Sequence, residues 1–408
     1  MIPPPTLGGR LKRLFDSNDF PWLLPLPPWA GLRDRQVRHI RQAAREVLRR
    51  RLVAERSGAH LVASSIAWPL LALVKAMRAW RAAGRPRTVS VLDLWWLQLA
   101  HNLRIADQQE FQFNRPEQRR RVRRFVTDGE NKALLEFLNR QARPERVGEK
   151  IQFAGFCATH GLPTVRVIAE RAEAGVAPRW LGPLPAGDLF LKPAALWGGQ
   201  GAGILRHVGP QTWQAADGTR LTPETLAAYA DRRLPGLAWV LQPRLQNGPA
   251  WAAFSPAALG TVRVITGRSQ ARGPVEVIGG FMRFPRAGAV VDNVSAGGLG
   301  ADYDAEGRLG PARSLEPGAP RYDRHPDTGA IITGTLIPAW ARVAALARRA
   351  HAPIRDIAMI GWDVALPGAE PVLLEGNTNW GVMIDTPLGD TRYVETLLQP
   401  DWQLRLIP

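Results

Sequence analysis

Residues 359–377 read MIGWDVALPGAEPVLLEGN, and this stretch decides the fold. Met359 to Ala365 and Val372 to Glu375 are apolar runs of strand length. Pro367-Gly-Ala-Glu370 between them carries turn residues, so the stretch predicts an antiparallel hairpin. Asp363 lies on the first strand. Glu375 and Asn377 end the second, two positions apart and so on one side of it. Hairpin pairing would gather all three side chains. Two carboxylates and an amide oxygen form a hard donor set, suited to Mg²⁺ bridged to phosphates and not to Zn²⁺. Asp and Asn at strand ends also cap turns, so the triad by itself carries no function.

Upstream, residues 190–203 read FLKPAALWGGQGAG. A strand delivers Lys192, and a loop with Gly198, Gly199, Gly201 and Gly203 follows. Glycine lets backbone N–H groups turn toward phosphate oxygens, and Lys192 would add a point charge. No Gly-Lys-Ser/Thr follows and no long helix starts at the last glycine, so neither common nucleotide-loop fingerprint is present. A glycine-rich loop alone is more often a plain hairpin. Residues 239–245, WVLQPRL, form an apolar strand with a polar end at Gln242. It is either a base-binding edge or an ordinary core strand. Arg263 in TVRVIT and Arg283 in GFMRF sit inside apolar strands, followed by Asp292-Asn293 and Gly297-Gly298. A buried guanidinium is costly unless it is paired or grips an anion.

Further strands are expected at Thr164–Ile168 and Asp188–Lys192, and a helix over Ile337–Ala350 with Pro338 in its first turn. Strand patterns are scarce before residue 160. There the text predicts helices over 33–56, 61–81, 91–104 and 131–140 after a Pro-rich extended arm at 1–30. The expected organisation is a basic, mostly helical module over 1–147 and an α+β domain over 148–408.

Composition narrows the function. With 408 residues, 45% hydrophobic and 22% charged, the chain has enough length for two or three folded domains. A single cysteine, Cys157, excludes an internal disulfide and a thiolate zinc cage; it reads as a buried small residue. The net charge is +17, of which residues 1–150 carry +15, from 29 basic and 14 acidic residues. Such a module suits an anionic surface or substrate, although Arg-rich coding alone would also produce it. Arg119 to Arg124 reads as a solvated face. No basic segment leads into an apolar run at the start, so no cleavable signal is expected. Leu61 to Val74, LVASSIAWPLLALV, is shorter than the roughly 20 residues of a membrane span and contains Pro69. It reads as a core helix. An interfacial helix, helped by Lys75, Arg78 and Arg81, is the alternative.

Taken together and in this order, these elements resemble the ATP-grasp superfamily over residues 148–400. The likeness is greatest to its sugar-transfer-associated group, related to α-L-glutamate ligases. HPDTGAIITGTLIPAW from His325, QPRLQN from Gln242 and IGWDVA from Ile360 are similar to that group. The resemblance implies an α+β ATP-grasp fold, in which two α+β subdomains sandwich ATP behind the helical module. It implies that Lys150 and Lys192 bind the nucleotide phosphates under a Gly198–Gly203 lid, and that Gln242 and the backbone to Leu245 hold adenine. Asp363, Glu375 and Asn377 would bind two Mg²⁺, with Mn²⁺ as a substitute. Arg263 and Arg283 would stabilise the transferring phosphoryl group, and Asn293 would position it. His160, His325 and His351 are expected to be structural, with His325 and Asp327 near the acceptor side.

Three positions depart from the wider pattern. Gln242 stands where Glu is common, Asn377-Thr-Asn-Trp-Gly381 replaces Asn-x-x-Pro-Gly, and Gly361 stands where D-alanine ligases carry Arg. The implied activity is carboxylate activation as an acyl phosphate, then capture by an amine or other nucleophile. Substrates would be small or glycan-linked, in exopolysaccharide or surface-glycan synthesis. A kinase on the same scaffold and a non-enzymatic anionic-surface binder are the alternatives. The expected place is the cytoplasm, peripheral to an anionic membrane surface; nucleic acid is not an expected partner.

Overall fold

Alternating apolar residues build two antiparallel sheets in the computed structural model. It describes residues 32–55, 58–196, 199–254, 258–270, 272–289, 291–316, 319–382 and 384–398. The arm expected over 1–30 lies outside these residues. Two compact units are present: 139–315 with 319–384, and 32–138 with 316 and 385–398.

The larger unit holds both sheets. Strands β1 (Ala169–Arg171), β2 (Arg179–Trp180), β3 (Leu189–Pro193), β4 (Gly203–Gly209), β5 (Thr212–Gln214), β6 (Arg220–Leu221) and β7 (Trp239–Pro243) form one sheet, ordered β2-β1-β7-β3-β4-β5-β6. Strands β8 (Thr261–Arg268), β9 (Val275–Phe284), β10 (Leu299–Asp302), β11 (Met359–Ala365) and β12 (Val372–Asn377) form the other, ordered β10-β9-β8-β11-β12. Every residue of the central strand β8 and of its neighbour β11 is buried. Val262, Val264, Ile360, Trp362 and Val364 point into one core, where they meet Val343, Leu346, Ala347 and Ala350. The latter recur at helical spacing on the helix Trp340–His351. Alternation sends Arg263 and Asp363 to the opposite face.

A bulge decides the facing of β12. Asp363 pairs with Glu375, but Val364 pairs with Leu373, so Leu374 is an extra residue on that strand. Leu373 can therefore enter the core while Glu375 stays beside Asp363. The helix Lys150–Thr159 buries Cys157, and burial pushes this thiol up to about 12.

Two expected elements shift. Thr164–Ile168 is not a strand. Its first residue is tied to Leu373 and its last to the Leu241 carbonyl, so the segment crosses between sheets and pairs along neither. The strand begins at Ala169 instead. The helix expected from Ile337 starts at Trp340, because Ile337 donates its N–H to Gly307 and Ala339 takes a left-handed backbone (φ +53°).

The smaller unit is helical. Its longer helices are α1 (Leu32–Glu55), α2 (Gly58–Ala82), α3 (Val91–His101) and α4 (Asp128–Leu138), with the short helices Ile105–Glu110 and Pro116–Arg120 between the last two. Arg41 of α1 is buried and donates to Glu130 of α4 at 2.8 Å, and Arg45 lies 3.4 Å from the same carboxylate. The Arg119–Arg124 run is more than a solvated face: Arg119 donates to the Thr88 and Phe113 carbonyls, and Arg121 and Arg124 both grip Asp390. The core-helix expectation for 61–74 holds for one side of α2 only. Trp68 and Ala72 are buried, whereas Val62, Ile66 and Leu70 are exposed. Among the described residues, no helix is long and apolar enough to cross a membrane.

Glycine is required at Gly280 on β9 (φ +151°), where an added Cβ would overlap the Arg263 carbonyl oxygen and crowd the Tyr303 hydroxyl. Gly280→Ala should cost about 3 kcal/mol or more in denaturant unfolding. Gly155→Ala, at an exposed helical site with open space, should instead add about 0.5–1 kcal/mol.

Candidate functional site

The face of the five-stranded sheet turned away from the core carries a row of charge. Register places Arg263 opposite Asp363 and Asp363 opposite Glu375 across three adjacent strands. Arg263 Nε donates to Asp363 Oδ1 at 2.5 Å and its Nη2 to Oδ2 at 3.2 Å. Arg283 Nη2, from β9, approaches Asp363 Oδ2 at 2.8 Å. Both carboxylate oxygens therefore face guanidinium. Burial pushes the Asp363 carboxyl up, and the two arginines outweigh it and hold it below the usual range.

Arg283 has a second anchor. Its Nε donates to Thr261 Oγ1 at 2.8 Å and lies 3.4 Å from Asp292 Oδ2. The Thr261 hydroxyl in turn donates to Asp292 at 2.5 Å. Asp292 is buried, and burial raises its pKa against the opposing charge of Arg283. Thr261 and Asp292 were not singled out as site residues from sequence. The signal for Thr261 was its position two before Arg263 on one strand, hence on the same face.

These groups border a cavity of about 170 Å³. Arg283, Asp292, Asn293, Asp363 and Glu375 line it from the five-stranded sheet and its loops, and Lys192, Gln242 and Leu245 from the seven-stranded sheet. Val165, Phe190, Ile204 and Leu374 supply apolar wall. Lys150 is buried at the first turn of its helix. Its Nζ donates to the Leu196 carbonyl at 3.0 Å and lies 3.4 Å from Glu375 Oε2. Lys192 is half-buried on β3, and burial pushes its amine down to about 8, with Lys150 adding to the fall and Glu375 opposing it. Gln242 is buried and donates to the Val165 carbonyl at 3.3 Å. Gly199 also lines the cavity, with φ +75°, and an added Cβ there would strike Val291.

Other expected residues stand apart from the wall. Arg263 sits behind Asp363, and Gly203 opens β4 paired with Leu191. Gly201 packs near Leu234 and Pro193, and neither it nor Gly203 lines the cavity. Gly198 lies outside the described residues. Asn377 is opposite Gly361, with its amide nitrogen 3.5 Å from Glu375 Oε1, and it too is off the wall. His351 is buried and held by Thr266 and the Ile357 carbonyl, and His325 by the Pro285 carbonyl. Among the described residues no group of three or more His, Cys, Asp or Glu side chains could hold a metal. Asp363, Glu375 and the Asn377 amide are oxygen donors carried on the two paired strands β11 and β12. The oxygen chemistry of these three, on two paired strands, fits a hard divalent cation.

Chemically, the cavity joins two amines (Lys150, Lys192), two guanidiniums (Arg244, Arg283) and three carboxylates (Asp292, Asp363, Glu375) to an apolar slot. That combination suits a polyphosphate bound to a flat apolar group.

A family model described as "Sugar-transfer associated ATP-grasp" matches residues 130–392. Among curated proteins no sequence matches the chain. Solved structures similar to it include the D-alanine–D-alanine ligase of Helicobacter pylori, 10% identical with TM-score 0.35, covering 62% of this chain and 59% of that one. The D-alanine–D-alanine ligase of Bacillus anthracis complexed with ATP is 11% identical with TM-score 0.34, covering 64% and 68%. The L-amino acid ligase of Bacillus licheniformis is 13% identical with TM-score 0.32, covering 65% and 48%. The chain thus spans less than two thirds of the length of the first and third.

Lys192 sets a pH dependence. Its amine is charged below about 8 and loses its proton as pH rises past that value. Pyrophosphate titrated calorimetrically into the free protein should therefore bind best below about 8. Its Kd should climb toward about tenfold per pH unit above that. Lys192→Arg should keep the affinity flat over the same range.

Proposed function

The chain belongs to the sugar-transfer-associated ATP-grasp family, and we propose that it is an ATP- and Mg²⁺-dependent ligase. In this reading it converts a carboxylate to an acyl phosphate, which an amine or other nucleophile then captures. The observation that carries it is the Arg263–Asp363–Glu375 row at a cavity whose other wall presents Lys192 and Gln242.

Asp363, Glu375 and Asn377 would hold Mg²⁺, which neutralises phosphate charge when bound. The remaining work falls to the chain's own groups. Lys150 and Lys192 offset the nucleotide phosphates, and Gln242 with the backbone to Leu245 holds the adenine edge. An incoming cation competes with the arginines for Asp363. Arg283 can yield it and stay in place, because Thr261 and Asp292 hold its Nε. A guanidinium so held is available to the transferring phosphoryl group, with Arg263 behind it and Asn293 beside it.

Gly361 stands where D-alanine ligases carry Arg, and this reading sets the acceptor side apart from theirs. At Gly361 an added Cβ would stand 3.0 Å from Arg263 Cδ and 3.1 Å from Trp380 Cβ, so a larger side chain there would have to displace the Arg263 stem or Trp380. This supports another carboxylate, small or glycan-linked. The reading sets the reaction in exopolysaccharide or surface-glycan synthesis, on the cytoplasmic side of a membrane.

Thermal unfolding with ADP or ATP, each with and without Mg²⁺, tests the site. At about 100 times Kd the wild type should gain about 5 °C, and Glu375→Gln should lose the Mg²⁺-dependent part. No Mg²⁺-dependent gain would remove the metal assignment. Mass analysis of products then tests the reaction: free phosphate with a condensed product supports ligation, whereas a phosphorylated acceptor makes the protein a kinase.

A further inference from the structure

Helices α2 and α3 hold each other through Trp68, Ala72, Ala76 and Leu94, all buried. Trp95 Nε1 donates to the Pro69 carbonyl at 2.9 Å, and Gln98 Nε2 to the Ala72 carbonyl at 2.9 Å. These contacts fix which positions turn outward. On α2 they are Val62, Ile66 and Leu70, four apart and 61%, 78% and 68% exposed. On α3 they are Leu92 and Trp96, also four apart and 66% and 60% exposed. Residues at that spacing share one side of a helix. Single exposed apolar residues are ordinary, but two such stripes on a pair of packed helices need a reason.

Charge supplies one. Residues 58–101 hold five basic side chains and one acid, Asp93. The Asp93 carboxylate is engaged in capping α3, accepting from the Ser90 N–H and hydroxyl. Arg81, Arg85 and Arg87 are exposed where α2 ends and the connection to α3 runs.

We propose that this face docks on an anionic phospholipid bilayer. Val62, Ile66, Leu70, Leu92 and Trp96 enter the boundary between headgroups and acyl chains, and the arginines meet lipid phosphates. Neither helix is long and apolar enough to span, so the contact lies in the interface plane. A second copy of the chain is a poor occupant, because each would bring the same excess of positive charge. The proposal stands apart from the nucleotide site and does not rest on it.

Flotation of the full chain with vesicles tests it, using phosphatidylcholine alone or mixed with phosphatidylglycerol. Binding should require phosphatidylglycerol and weaken with salt. The double variant Ile66→Ser, Trp96→Ser should lower the partition constant at least about tenfold. Arg85→Glu with Arg87→Glu should lower it about tenfold or more. All four side chains are exposed, so an unchanged thermal midpoint accompanies each loss. No binding to the mixed vesicles overturns the proposal. So does binding that the Ile66, Trp96 pair leaves unchanged, which would assign the contact elsewhere. Self-association that this pair abolishes, without vesicle binding, would make the face a contact between copies and overturns it too.

Discussion

A carboxylate buried between two guanidiniums governs the larger unit. Asp363 sits on a strand with no exposed residue, and Arg263 and Arg283 share its two oxygens. Breaking such a buried pair from one side costs about 3–5 kcal/mol, so the strands must keep their register. The nearby irregularities follow from that demand. The bulge at Leu374 keeps Glu375 beside Asp363 while Leu373 fills the core, and the small Gly361 leaves room for the Arg263 stem. Gly280 lets β9 approach the Arg263 carbonyl, where Tyr303 also bonds.

The same constraint shapes the chemistry. Positive charge at the cavity comes from both sheets, but it is balanced differently on each. Arg263 and Arg283 are paired with acids, whereas Lys192 is held in a desolvated place and is easily deprotonated. A polyphosphate bound as proposed would relieve one wall and disturb the other. Lys150 links the two, with one end of its helix bonded to Ala194 and its amine near Glu375.

Much of this could be read from the residues. The hairpin 359–377 appears where its apolar runs and turn residues put it, and strands β7 and β8 begin at the positions their sequence patterns marked. Apolar runs of strand length bounded by turn residues are a strong signal, and the fully buried strands β8 and β11 carry it. Other features depend on tertiary pairing and leave no local trace. The 164–168 segment has strand composition yet spans a gap between two sheets. Nothing in Asp292-Asn293 announces that the first would anchor Arg283 through Thr261. The outward stripe of α2 was hidden for a different reason: its apolar residues run all round the helix, so composition could not tell which side was covered.

Cys157 has a consequence outside the chemistry of the site. It is fully buried beside the sheet core, and its thiol stays protonated to about pH 12. Thiolate, not thiol, reacts with oxidants and alkylating agents, so this sulfur is protected while the helix stays packed. Each opening of the helix from the five-stranded sheet would expose one reactive sulfur and no other. The protein thus carries a single-site clock for the breathing of the very core that holds Asp363 in place.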